Sequence, residues 1–303
     1  MPLNSEKLRT VHLVPLTAFD ASGRINARVQ AEHTERMAAS GNRVFLPAAG
    51  TSEFHSLSPD EIVELVRITR QFVSRDALVF APVGFQLPLA IETARRSLEV
   101  GADGIMFMPL VHPYLSDSGV RDYYHAVLEA AGCPALIYKA APIPSDQLLL
   151  EMAADPRVVG VKYAVNNLHD FRRAVLASAT QAEWLCGSAE RFAPYFMLAG
   201  AGGYTSGAGN VCPRLTLAMH AALAAGRYEE GMRLQEKMLP IEEFRGREGE
   251  SFSISMLKAA MSALGADFGP ARPPQRRIAP GERDDISKIV AAVLAAEAEL
   301  PGA

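Results

Sequence analysis

Short apolar runs recur along the chain, and each is followed by a stretch with helical punctuation. The runs are VHLVPLT (11–17), RVFLPAA (43–49), LVFAPVG (78–84), GIMFMPL (104–110), CPALIYK (133–139), VVGVKYA (158–164), EWLCG (183–187) and GGYTSG (202–207). Short apolar runs bounded by turn residues read as buried parallel strands. Between them lie helix starts and stops. Ser58-Pro59-Asp60-Glu61 offers an N-cap serine, a proline at the first helical position and a capping-box glutamate. Pro88 opens a helix and Gly101 closes it. Gly41, Gly132 and Gly226 fall where C′ glycines belong, and Ser145, Asn167 and Ser188 where N-caps belong.

Eight strand–helix units over residues 1–225 predict an α/β fold, a (β/α)8 TIM barrel, which typically takes about 250 residues. A doubly wound open sheet is the competing architecture, but no strand is followed by the GxGxxG of a dinucleotide fold. The remainder, 226–303, predicts a C-terminal helical extension. Residues 227–265 are helical in pattern, with an interruption expected at Pro240. GADFGPARPPQRRIAPGE (265–282) carries four prolines and predicts an extended connection. A last amphipathic helix is expected near 285–299.

Composition narrows the function. A net charge of −4 with no basic stripe argues against a nucleic-acid partner. The three cysteines, Cys133, Cys186 and Cys212, are widely spaced and odd in number, which disfavours a disulfide framework or a CxxC metal site. No run reaches the roughly 18 apolar residues of a membrane span, and the first residues lack a signal-peptide core. A cytoplasmic protein without a membrane partner is the expectation. His12, His33, His55, His112 and His125 show no metal-ligand spacing, so no metal is expected.

Lys162 is a charge out of place. It sits in the apolar run VVGVKYA, and lysines are almost never buried without a reason. Desolvation favours its neutral, nucleophilic amine, the form that makes a Schiff base with a carbonyl. In a barrel the reactive groups gather at the C-terminal ends of strands. Tyr138 ends the preceding run, on a strand roughly 4.8 Å away, and a phenol there is a suitable proton carrier. Gly50-Thr51-Ser52, ending the second run, offers backbone N–H groups and two hydroxyls for a carboxylate. Structural readings compete with these. A buried lysine can pair with a carboxylate, a lone tyrosine is more often a satisfied core residue, and Thr51 and Ser52 are ordinary turn residues. Lys139 should point toward the helices by alternation. The glycines of GAGGYTSGAGN (200–210) read as tight backbone packing, since no phosphate-loop GKS or GKT follows.

Taken in order, VPLTAFDASGRIN (14–26), AAGTSEFHSLSPDE (48–61), GADGIMFMPL (101–110), HPYL (112–115), IYKAAP (137–142), GVKYA (160–164) and GAGGYTSGAGNVCP (200–213) resemble the dihydrodipicolinate synthase / N-acetylneuraminate lyase family. The resemblance spans nearly the whole chain. It implies a barrel with C-terminal helices, a homo-oligomer (dimer or tetramer), Lys162 as Schiff-base lysine and Tyr138 as acid/base tyrosine. It further implies a 2-oxo acid carboxylate at Gly50, Thr51 and Ser52, and substrate contacts from Tyr114, Gly187 and Tyr204. No cofactor is implied, because the iminium itself stabilises a carbanion.

The departures shift the expected substrate. Dihydrodipicolinate synthases carry two threonines where this chain has Gly50-Thr51, a second tyrosine at Leu115, and an arginine in the segment that reads KAAPIPS here. GTSEFHSL, PYL and FGPARPP resemble the 5-dehydro-4-deoxyglucarate dehydratase branch instead, though that branch has Tyr-Asn-Arg where this chain has Tyr138-Lys139-Ala140. The expectation is a Schiff-base dehydratase of a 2-oxo sugar acid. The alternatives are a pyruvate-releasing aldolase, a dihydrodipicolinate synthase, and a non-catalytic 2-oxo acid binding protein.

Overall fold

The computed structural model describes residues 3–301. Eight parallel strands close into a barrel in sequence order. They are β1 (Val11–Leu13), β2 (Val44–Phe45), β3 (Leu78–Val83), β4 (Gly104–Phe107), β5 (Ala135–Lys139), β6 (Val158–Tyr163), β7 (Glu183–Cys186) and β8 (Gly203–Ser206). Each leads into a helix: α1 (Ala27–Ala39), α2 (Pro59–Phe72), α3 (Leu87–Glu99), α4 (Asp117–Ala131), α5 (Asp146–Ala153), α6 (Leu168–Ala177), α7 (Ala189–Leu198) and α8 (Pro213–Ala224).

Local chemistry sets these boundaries. Ser58 and Glu61 form the expected capping box on α2, and Ser145 and Asn167 cap α5 and α6. Ser188 occupies the N-cap position of α7 without capping it; its hydroxyl donates to Asn166 Oδ1 at 2.5 Å. Gly203 of β8 closes the seam against β1. A Cβ at Gly203 would lie 2.1 Å from the Thr10 carbonyl oxygen, so only glycine lets the backbones approach. In β6 the register against β5 slips by one residue at Val159, since Ala135 faces Val158 and Leu136 faces Gly160. That extra residue sets the parity of the strand's end.

The extension differs from its expected outline. α9 (Tyr228–Arg245) runs unbroken through Pro240. The proline removes one helical hydrogen bond, but Met238 and Ile241 are fully buried on either side and packing holds the helix together. The break comes in α10 (Arg247–Glu250), a single distorted turn where Glu248 and Gly249 have φ of 48° and 65°. α11 (Ser253–Ala263) follows, then the irregular proline-rich segment, then α12 (Pro280–Ala298), which starts at its proline, earlier than periodicity suggested. Met238, Met256 and Ile286 of the extension share one buried apolar cluster with Val161, Cys186 and Leu215 of the barrel.

Candidate active site

The pairing of β5 with β6 places Tyr138 directly beside Lys162. Both face into the barrel, and Lys162 Nζ lies 3.8 Å from the centroid of the Tyr138 ring. Lys162 is 5% exposed. Burial, uncompensated by any carboxylate partner, pushes its amine down to about 7. Burial, reinforced by the charge of Glu250, pushes the Tyr138 phenol up to about 12. The pair is thus an amine that is substantially neutral near pH 7 and a phenol that keeps its proton. Beneath them His12 is buried, with Nε2 against the Leu8 carbonyl at 2.8 Å. Burial pushes it down to about 4, so it places no positive charge under the lysine. Gly187 makes room for Lys162: a Cβ there would lie 3.0 Å from Lys162 Cγ and 2.8 Å from Ala164 Cβ.

These groups open on a cavity of about 460 Å³ at the C-terminal mouth of the barrel. Gly50, Thr51 and Gly187 line it with Lys162 and Tyr138. The amides of Gly50, Thr51 and Ser52 have no backbone acceptor among the described residues, which leaves a cluster of N–H donors at the site edge. Other parts of the expected site lie elsewhere. The Ser52 side chain is fully buried; its hydroxyl donates to the Pro15 carbonyl and its own carbonyl accepts from Thr17 at 2.7 Å, so it pins the turn. Tyr204 faces outward into the helix layer and donates to the Thr216 carbonyl at 2.6 Å. Alternation turns its neighbour Thr205 inward to the cavity instead. Tyr114 is 86% exposed in the segment after β4 and reaches no part of this cavity. Lys139 points outward as expected, toward Asp146 at 3.5 Å.

Sequence reasoning missed several lining residues. Asn166 and Ser188 follow β6 and β7, Arg191 lies in the first turn of α7, and Arg245, Glu250 and Gln275 come from the extension. Thr205 was within reach of alternation. The extension residues carried no local signal, because only the folded chain brings them over the barrel mouth. Arg245 is held by Glu242 at 2.5 Å and by the Ser253 carbonyl at 3.1 Å. Close by, Glu190 is fully buried and accepts from Ser206. Burial first, and then the charge of Glu242, pushes the Glu190 carboxyl upward. A larger groove of about 910 Å³ lies between α1 and the extension, lined by Asn26, Arg28 and Arg277. The lysine it contains, Lys258, is ion-paired with Glu53. Among the described residues no cluster of three or more His, Cys, Asp or Glu could hold a metal ion.

The model of the dihydrodipicolinate synthetase family matches residues 7–293. The chain belongs to that family. It is 30% identical over 284 residues to a protein of Cereibacter sphaeroides described as "Probable 5-dehydro-4-deoxyglucarate dehydratase", covering 91% of this chain and 92% of that one. A protein of Chelativorans sp. with the same description is 29% identical, covering 92% and 94%. Among solved structures, dihydrodipicolinate synthase from Bacillus clausii superposes with a TM-score of 0.91 at 33% identity, covering 95% of this chain and 98% of that one. The sialic acid aldolase of Ruminococcus gnavus, at 20% identity and a TM-score of 0.87, shares the fold. The protein is an enzyme of this lyase family, built on a (β/α)8 barrel with C-terminal helices.

Proposed function

We propose that the protein is a Schiff-base dehydratase of a 2-oxo sugar acid, with 5-dehydro-4-deoxyglucarate as the first substrate to test. The observation that carries this reading is the Lys162–Tyr138 pair: a buried amine without a counter-ion beside a protonated phenol. The relatives described as 5-dehydro-4-deoxyglucarate dehydratases support the substrate.

With carbons counted from the carboxylate beside the ketone, the neutral amine of Lys162 attacks the C2 carbonyl. Tyr138 gives its proton to the carbinolamine oxygen, which leaves as water, and the iminium forms. The iminium withdraws electrons from C3, and the Tyr138 phenolate takes the C3 proton. The resulting enamine expels the C4 hydroxyl, which Tyr138 protonates as it departs. Water then releases the keto product and regenerates the amine. The free amides of the Gly50–Ser52 turn, with the Thr51 hydroxyl, hold the C1 carboxylate.

Borohydride in the presence of pyruvate or a larger 2-oxo acid should leave a reduced adduct on Lys162, read by peptide mass. An unmodified Lys162 at saturating 2-oxo acid overturns the proposal. A lactate-dehydrogenase-coupled assay on the sugar acid should detect no pyruvate; release of pyruvate would make the enzyme an aldolase on the same lysine.

We further propose a cytoplasmic homo-oligomer. Three buried, unpaired cysteines suit a reducing compartment. Val111 and Tyr114 leave large apolar surfaces exposed after β4, which an assembled neighbour would cover. Sedimentation of the purified protein tests the assembly; a monomer at micromolar concentration refutes it.

A further inference from the structure

The turn that presents the free amides is bracketed by two strained residues. Ala48 at its entrance has φ of 58° and Glu53 at its exit has φ of 70°. Non-glycine residues in the left-handed region cost on the order of 1 kcal/mol and persist where the surroundings over-determine them. Glu53 is fully buried and lies outside the cavity lining. Its Oε1 sits 2.5 Å from Nζ of Lys258 in α11, and its Oε2 accepts the backbone N–H of Arg272 at 2.7 Å, from 219 residues away in sequence. Lys258 is itself 3% exposed. Arg272 grips the same region from outside, donating to Glu61 of α2 at 2.5 and 2.9 Å, to the Ser56 carbonyl at 2.9 Å and to the Gly23 carbonyl at 2.6 Å. Both cations stack on Phe19, at 4.2 and 4.1 Å. Two carboxylates and two cations close a neutral set.

A buried ion pair seldom adds stability over a well-packed apolar pair. Its location here, at the exit of a strained turn whose Gly50 and Thr51 line the cavity, argues for geometry. We infer that Glu53, Lys258 and Arg272 are positioning residues through which the C-terminal extension holds the carboxylate-binding turn in shape. This rests on the reading of that turn as the site of the C1 carboxylate. The clamp governs recognition of the carboxylate and leaves the lysine chemistry alone.

The test compares two ketones, pyruvate and hydroxyacetone, which share the carbonyl and differ in the carboxylate. In the whole protein, Glu53→Gln should raise the pyruvate concentration needed for half-maximal borohydride trapping about tenfold. Hydroxyacetone trapping should stay within about twofold, and the circular dichroism spectrum should be unchanged. Lys258→Met leaves Glu53 buried without its cation, so Glu53→Gln/Lys258→Met serves as the folded control; the double variant should melt near the wild type yet keep the tenfold pyruvate defect. A pyruvate-to-hydroxyacetone ratio that stays at the wild-type value in these folded variants overturns the inference while the Schiff-base reading stands. If wild-type Lys162 takes no adduct from either ketone, the Schiff-base reading falls. Calorimetric binding of pyruvate then carries the test of the clamp: tenfold weaker binding to Glu53→Gln supports it, and absence of binding to wild type overturns both.

Discussion

The barrel mouth and the seam between barrel and extension each bury a lysine, and they treat it in opposite ways. Lys258 at the seam meets a carboxylate at 2.5 Å. Lys162 at the mouth meets the face of a tyrosine and no carboxylate. Burial pulls the Lys258 amine downward too, but the Glu53 carboxylate offsets part of that pull and the pair ties the extension to the barrel. A lysine buried beside an aromatic face gives up its proton readily and becomes a nucleophile. Burial alone therefore does not mark a catalytic lysine; burial without a counter-ion does.

The sharpest way to break the contrast is to remove each amine. Lys162→Met should abolish borohydride adduct formation. It should also stabilise the fold near pH 7. The folded lysine titrates at about 7, whereas an unfolded one titrates at about 10.4. The unfolded state therefore binds the proton more readily. The resulting penalty is full below pH 7 and fades as pH rises toward 10.4, so removing it gains about 3 to 5 kcal/mol at neutral pH. Denaturant titration checks the sign. Lys258→Met should do the reverse, losing about 3 to 5 kcal/mol because Glu53 is left charged and buried.

Tyr138→Phe comes next. It should lower turnover roughly 10²- to 10⁴-fold, the usual contribution of one positioned acid/base group, with the melting temperature little changed. pH sharpens the same point: initial trapping rates with pyruvate should rise about tenfold per unit below pH 7 and level off above it. Tyr138, at about 12, should add no inflection between pH 5 and 9. The smallest effect is expected at Tyr204. Tyr204→Phe leaves the buried Thr216 carbonyl without its donor and should cost about 1 to 3 kcal/mol of stability. The half-saturating 2-oxo acid concentration should not move. A change in that concentration would return Tyr204 to the site.

Much of this was legible in the sequence. The strands are apolar runs whose ends carry the reactive groups, so strand order alone set Lys162 beside Tyr138. Where the reading erred, the cause was a side chain's direction or the chain's long-range return. Tyr204 and Thr205 are adjacent, and only the register of β8 says which one faces in. Ser52 belongs to the correct turn, but its hydroxyl is consumed by the Pro15 carbonyl. Pro240 looked like a helix break because local propensity cannot see the packing around α9. Glu53, Lys258 and Arg272 were invisible as a unit because no local pattern joins residues so far apart.

Gly50 has a further consequence. Its φ lies outside the left-handed region, and a Cβ built on it meets nothing within 4 Å. The glycine is thus demanded neither by backbone conformation nor by crowding. The turn leaves open space for a side chain to begin at this point. The rim of the cavity can therefore take a side chain at this one position without rebuilding the scaffold around it.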